Sequence, residues 1–214
     1  MKKLLLFCCM LLATSAFSQS GKVKKEKTVK QGIVVKGGMA SYSIDGWDCD
    51  AGFTGEVYWS LSGLLKPKNT ESHWAFETGL GIDFSKSKAV YSGRKRGIDE
   101  DIFCIGLFTI PCNAKYILNP LSTRGKWIVK AGIDFCPLEI GVPQEKEGKA
   151  ISSYYHLEST VGMKIGIDGG LGYEGKHWGL YAGGFGGMMT PWSSEASSTS
   201  VTMAGFYASL HYFF

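Results

Sequence analysis

The chain has 214 residues, a formal net charge of +4, and 44% hydrophobic and 13% aromatic residues. That length suits one domain and is short for two, and the near-neutral balance excludes the strongly basic surface of a nucleic-acid binder. The 29 glycines, roughly twice the usual share of about 7%, and the six prolines fit neither a disordered polymer nor a helical bundle.

In chain order, Lys2 and Lys3 form a positive n-region, Leu4 to Ala13 an apolar run, and Ala16-Phe17-Ser18 the small residues that a signal peptidase reads. Residues 1–18 therefore read as a secretory signal cleaved before Gln19. The apolar run is shorter than the roughly 20 residues a membrane-spanning helix needs. Cys8 and Cys9 lie inside that run, with Phe7 where a lipoprotein signal wants a small residue, which speaks against a lipid anchor. Losing Lys2 and Lys3 lowers the mature charge from +4 to +2. Residues 19–30 (QSGKVKKEKTVK) have no apolar period and read as a flexible periplasmic leader, so the folded domain spans 31–214.

From Gln31 onward a two-residue alternation dominates, and it predicts eight strands. The first covers about Gln31–Ile44. The second, about Ala51–Leu61, puts Phe53, Val57, Trp59 and Leu61 on one face and Thr54, Glu56, Tyr58 and Ser60 on the other. The third sets Trp74, Phe76, Leu80, Ile82 and Phe84 against Glu77, Gly79, Gly81 and Asp83. The fourth, about Ile102–Leu118, alternates less cleanly. The fifth opposes Trp127, Val129, Ala131, Ile133 and Phe135 to Lys130, Gly132 and Asp134. The sixth opposes Met163, Ile165, Ile167, Leu171 and Tyr173 to Lys164, Gly166, Asp168, Gly170, Gly172 and Glu174. The seventh, Trp178–Met189, is rich in glycine, which weakens a strand by propensity. The eighth sets Phe206, Ala208, Leu210, Tyr212 and Phe214 against Tyr207, Ser209 and His211.

A soluble β-sandwich alternates in the same way. Three features favour an antiparallel up-and-down transmembrane β-barrel. Short links follow even strands (Lys66–Ser72, Asn119–Lys126, Gly175–His177), and long polar ones follow the later odd strands (Ser85–Asp101, Pro137–Thr160, Thr190–Thr202), with Asp45–Asp50 a short first link. Trp59, Trp74, Tyr116, Trp127, Tyr173, Trp178 and Tyr212 all fall on apolar faces beside the short links, where a membrane interface holds such rings. The last strand ends apolar at Phe214, an aggregation hazard in water unless it closes onto strand one.

The segment Thr109-Ile110-Pro111-Cys112-Asn113-Ala114-Lys115-Tyr116 and the terminal Leu210-x-Tyr212-x-Phe214 resemble the small outer-membrane barrels labelled "porin family" or PorT-like, with OmpA/OmpX-type architecture. The resemblance covers the whole mature chain. It implies residence in the outer membrane of a gram-negative bacterium, contact with outer-membrane lipid and lipopolysaccharide, and delivery to the barrel-assembly machinery through Leu210, Tyr212 and Phe214. It implies architecture, and no particular activity.

With the aromatic face in lipid, Glu56, Glu77, Asp83, Lys115, Lys130, Asp134, Lys164, Asp168, Glu174 and His211 point into the bore. Eight strands leave an interior that side chains just fill, so this reads as a packed network of ion pairs, with a narrow pore as the alternative. Lys86, Lys88, Arg94, Lys95 and Arg96 on the Ser85–Asp101 link are the candidates for lipopolysaccharide phosphates, against an ordinary solvated loop. The loop Thr190–Thr202 exposes Trp192 and could be adhesive or simply flexible.

A lipid A-modifying enzyme needs a base beside a nucleophile. The best sequence candidate is Ser152-Ser153-Tyr154-Tyr155-His156-Leu157-Glu158 in the longest link, while His211 and Ser209 share a face near the periplasmic end. One loop gives no such geometry, so no catalytic residues are expected. No cofactor or metal is expected either. Cys49, Cys104, Cys112 and Cys136 form no CxxC pair, and Cys104 and Cys112 would lie roughly 26 Å apart on one strand, beyond the ~7 Å a disulfide allows. The sequence thus points to a monomeric, non-enzymatic barrel that is structural or presents surface loops, with a narrow solute channel as the rival.

Overall fold

The structure is a computed structural model, and it describes residues 29–44, 47–64, 72–91, 99–145, 160–191 and 201–214. The signal, most of the leader, Arg94, Lys95, Arg96, the Ser152–Glu158 segment and Trp192 lie outside the described residues.

The strands are β1 (Val29–Ile44), β2 (Trp47–Cys49), β3 (Gly52–Leu64), β4 (Trp74–Tyr91), β5 (Asp99–Ile117), β6 (Lys126–Glu145), β7 (Thr160–Glu174), β8 (Trp178–Pro191) and β9 (Val201–Phe213). β1 pairs antiparallel with β3, each strand from β3 to β9 pairs antiparallel with the next, and β1 also pairs with β9 from Gly32↔Phe213 to Ile44↔Val201, which closes the sheet. The short β2 pairs with β4 at Cys49↔Ala89, just beyond the Phe53↔Lys86 pair of β3. It is the outer end of the same barrel strand, interrupted near Asp50. The result is a closed up-and-down barrel of eight strands, as the sequence predicts.

The strands are longer than the alternation suggests. β1 starts two residues before Gln31, and Trp47–Cys49 is strand where the sequence reads a link. β4, β5 and β6 run for 18, 19 and 20 residues, so the Ser85–Asp101 link shrinks to 92–98 and the Pro137–Thr160 link to 146–159. A tilted membrane strand needs only about 9–11 residues. These three strands therefore project past the apolar band at the end opposite the termini.

Two β-bulges hid the extension of β5 and β6. Phe108 has φ 64°, and the β4–β5 register jumps from Gly81↔Thr109 to Ile82↔Leu107 around it. On β6 the register jumps between Cys136 and Glu139. Each bulge inserts one residue and reverses which parity faces inward. Cys104 and Gly106 face the bore before the first bulge, and Thr109, Asn113 and Lys115 face it after. Pro137 sits at the second bulge, where a missing N–H breaks no ladder bond.

The exterior is apolar: Ile167 is 65% exposed, Leu171 61%, Ile133 54% and Phe206 79%. The termini end carries a belt of paired rings. Trp74 meets Tyr116 at 5.1 Å, Trp127 meets Tyr173 at 5.3 Å, Tyr173 meets Trp178 at 5.9 Å and Tyr212 meets Phe214 at 5.8 Å. Trp59 departs from the expected belt, being set back from the end of β3 at Leu64. The β5–β6 turn is tied by Asn119, whose Oδ1 accepts from Trp127 N at 2.6 Å and whose Nδ2 donates to Gly125 O at 3.2 Å.

Glycine clears the bore. A Cβ at Gly172 would sit 2.2 Å from the Tyr181 ring, one at Gly106 2.4 Å from Asp83 Oδ2, and one at Gly170 2.6 Å from Ala182 O.

Candidate functional site: a charged, layered lumen

The interior is the chemically distinctive part of the molecule. All ten side chains assigned to the bore from sequence point there, and nine of them are buried, with Lys164 half-buried. The structure adds Lys36 from β1 and Glu139 from β6. Lys36 was legible in the alternation of Ile33, Val35 and Met39 around it. Glu139 was not, because it follows the bulge in what reads as a loop.

These groups form three layers. At the termini end, Lys115 Nζ lies 2.5 Å from Glu77 Oε2 and 2.6 Å from Glu174 Oε1. Tyr58 Oη donates to Glu77 Oε1 at 3.2 Å, and Tyr181 Oη donates to Glu174 Oε1 at 2.5 Å. In the middle, Lys36 Nζ lies 3.2 Å from each of Glu56 Oε2, Asp134 Oδ2 and Asp168 Oδ2, and Lys130 Nζ is 3.3 Å from Asp168 Oδ2. Towards the other end, Lys164 pairs with Asp83 and, at 3.2 Å, with Glu139 Oε2, while Thr109 Oγ1 donates to Asp83 Oδ2 at 2.5 Å.

The Tyr181 ring separates the termini-end layer from the middle one, and the Tyr207 ring lies within the middle layer. Lys115 and Lys130 lie 5.4 and 5.5 Å from the Tyr181 centroid. Lys130 and Lys36 lie 5.3 and 4.6 Å from that of Tyr207. Such contacts suit desolvated ammonium groups. Charges taken out of water need partners, and here the strands supply them across the bore. The balance is uneven, however. Among the described residues four lysines face seven carboxylates, one carboxylate in excess per layer before His211 is counted.

Two clusters have the composition of metal sites: Glu77, Glu174 and His211, and Asp83, Cys136 and Glu139. In each a lysine ammonium, Lys115 or Lys164, already pairs with both carboxylates, so the protein's own cation occupies the position a metal would take. Cys136 Sγ donates instead to Leu107 O at 3.3 Å and Leu138 O at 3.2 Å. Among the described residues, Cys49, Cys104, Cys112 and Cys136 form no disulfide.

Ser209, His211 and Glu77 have the connectivity of a hydrolytic triad, with Ser209 Oγ 3.2 Å from His211 Nε2 and His211 Nδ1 3.5 Å from Glu77 Oε2. Their surroundings argue against that use. Ser209 is 4% exposed and the other two 0%, the Tyr181 ring lies 4.6 Å from the imidazole, and Glu77 is already committed to Lys115. A lipid ester has no approach to the serine.

Of the residues assigned to lipopolysaccharide, Lys86 and Lys88 lie on strand β4 and not in a loop. They continue the outward face of Ile82 and Phe84, just beyond the apolar band.

No protein-family profile and no curated protein sequence matches the chain. Solved structures do. Neisserial surface protein A superposes with a TM-score of 0.50 at 14% identity, covering 86% of this chain and 97% of that one. The attachment invasion locus protein Ail of Yersinia pestis, solved with the heparin analogue sucrose octasulfate, gives 0.40 at 12% identity, covering 86% and 99%. The outer membrane protein OprG from Pseudomonas aeruginosa gives 0.38 at 10% identity, covering 87% and 94%. Closed sheet, apolar exterior, aromatic belt and charged interior together make this chain an eight-stranded antiparallel β-barrel of the small outer-membrane type.

Proposed function

We propose that the protein is a closed-lumen barrel of the outer membrane that presents its outer hairpins at the cell surface and performs no catalysis. The observation that carries this reading is the stack of ion-pair layers and tyrosine rings across the bore, with Lys115 and Lys130 each 1% exposed. A solvated path past those ammonium groups would expose them. The projecting ends of β4, β5 and β6 give the barrel a raised rim on which loops can meet a ligand. Lys86, on the outward face above the apolar band, is well placed to pair with lipid phosphates such as those of lipopolysaccharide. The exposed Leu210, Tyr212 and Phe214 on β9 suit recognition during assembly.

The test is single-channel recording after reconstitution into planar bilayers. The closed reading expects no resolved openings. Stable steps on the nanosiemens scale would establish the rival, a narrow solute channel.

A further inference from the structure

The side-chain charge after residue 18, +2, is divided unevenly along the barrel axis. At the termini end, the leader and the first turn of β1 supply Lys22, Lys24, Lys25, Lys27 and Lys30 against Glu26. The three links at that end and their flanks supply Lys66, Lys68, Arg124, Lys126 and Lys176 against Glu71. Ten bases against two acids leave +8 there. The bore, with four lysines and seven carboxylates, holds −3. The opposite end, with ten acids and seven bases from Asp45 to Glu195 outside the bore, also holds −3.

Residues 19–28 and 65–71 lie outside the described residues, so the surface is defined by Lys30, Arg124, Lys126 and Lys176. Arg124 and Lys176 are exposed on their turns. Lys126, half-buried, and Lys30, whose Nζ lies 4.9 Å from the Phe213 centroid, stand over the mouth of the bore. Among the described residues the acids at this end are Glu77 and Glu174, both buried and both paired with Lys115. No exposed acid there offsets the four cations.

The aromatic belt fixes the depth of these groups. Trp127, 56% exposed, directly follows Lys126, and Trp178, 46% exposed, is two residues from Lys176. At ~3.3 Å per residue the cations start within about 7 Å of rings that sit at headgroup level. Long basic side chains reach that far along an apolar surface while keeping the charge in water. The cations are also spread around the circumference, on β1, at the β5–β6 turn and at the β7–β8 turn. A lipid leaflet surrounds a barrel on every side, whereas a soluble polyanion meets one arc of it.

We infer that the termini-end rim binds anionic phospholipid headgroups, phosphodiesters of the phosphatidylglycerol type, in the leaflet around it. Short turns mark this end as the periplasmic one, so that leaflet is not the one that faces Lys86 and Lys88. The inference rests on the barrel's residence in a membrane and is independent of whether the lumen conducts.

The full mature chain is reconstituted in phosphatidylcholine vesicles carrying a trace of spin-labelled phosphatidylglycerol or spin-labelled phosphatidylcholine. Electron paramagnetic resonance then reads the fraction of each label immobilised at the barrel. A basic residue beside an anionic headgroup strengthens association about fivefold, so phosphatidylglycerol should be preferred by about that factor at low salt. The preference should vanish in 1 M salt, where the screening length is about 3 Å. Arg124→Gln/Lys126→Gln/Lys176→Gln should bring the two lipids towards parity, while Lys86→Ser/Lys88→Ser, at the other end, keeps the preference. Equal immobilisation of the two lipids by the wild type overturns the proposal, as does a preference lost in Lys86→Ser/Lys88→Ser and kept in the rim variant. Equal immobilisation together with cosedimentation of the wild type with purified cell-wall polymer also overturns it and assigns the rim to a carboxylate polymer. The wild-type comparison decides the matter even if the rim variant fails to give the heat-modifiable band.

Discussion

Replacing Lys115 with methionine tests the closed interior most directly. The side chain is 1% exposed and joins Glu77 at 2.5 Å to Glu174 at 2.6 Å, with Ser62 Oγ at 3.5 Å. Methionine keeps most of the volume and removes the charge. Two carboxylates, on side chains 0% and 9% exposed, then face each other across the space the ammonium held. Breaking one buried pair costs about 3–5 kcal/mol. Here two acids are stranded, which pushes the loss towards the upper end. Tyr58 and Tyr181 still donate to them, and a hydrogen bond to a charged group is worth about 1.5–3 kcal/mol, so the barrel survives weakened. We expect a loss of about 3–5 kcal/mol in urea unfolding of the refolded barrel, with the folded fraction read as the heat-modifiable gel band. Adding Glu77→Gln and Glu174→Gln removes the stranded charges and recovers most of the loss. A penalty below about 1 kcal/mol, the size of an exposed pair, would mean that water reaches Lys115. The closed-lumen reasoning would then fail.

Other perturbations address the exterior and the seam. Ile167→Arg places a charge at a site 65% exposed on the apolar face. In lipid vesicles it should cost about 2–4 kcal/mol. In water the change would stay within about 0.5 kcal/mol, so an unchanged unfolding midpoint would refute the lipid-facing assignment. Gly205→Ala puts a Cβ 2.0 Å from Met39 O on the β1–β9 seam and should abolish the fast-migrating unboiled band, whereas Gly37→Ala meets nothing within 4 Å and should keep it. Lys86→Ser with Lys88→Ser should weaken and flatten the salt dependence of binding to lipopolysaccharide-containing vesicles. Equal binding by wild type and variant would remove β4 from the lipid-phosphate reading.

The lumen was legible in the sequence where the alternation held. Runs such as Lys130-Gly132-Asp134 opposite Val129-Ala131-Ile133 leave no ambiguity about which face is dry, because side chains on a strand alternate and only one parity is apolar. The same logic failed across β5 and β6. Phe108 and the Pro137–Leu138 stretch each shift the parity by one, so Glu139 reads as part of a loop; Lys86, on β4, reads as part of a charged link because lysines follow Ile82 and Phe84 on the outward face. A bulge is set by pairing with the neighbouring strand, and a single strand's sequence carries little trace of it.

By itself the sequence determined the closed eight-stranded sheet, the lipid-facing side and ten of the bore's ionisable groups, because burial in lipid imposes a period of two on every strand that crosses it. Only the tertiary structure decided which charge meets which. Lys36 on β1 meets Glu56 on β3, Asp134 on β6 and Asp168 on β7. Lys115 on β5 meets Glu77 on β4 and Glu174 on β7. Partners so far apart in the chain are brought together by the stagger and closure of the barrel, a property of the whole sheet that no one strand encodes. The one-carboxylate excess in each layer follows from that same closure.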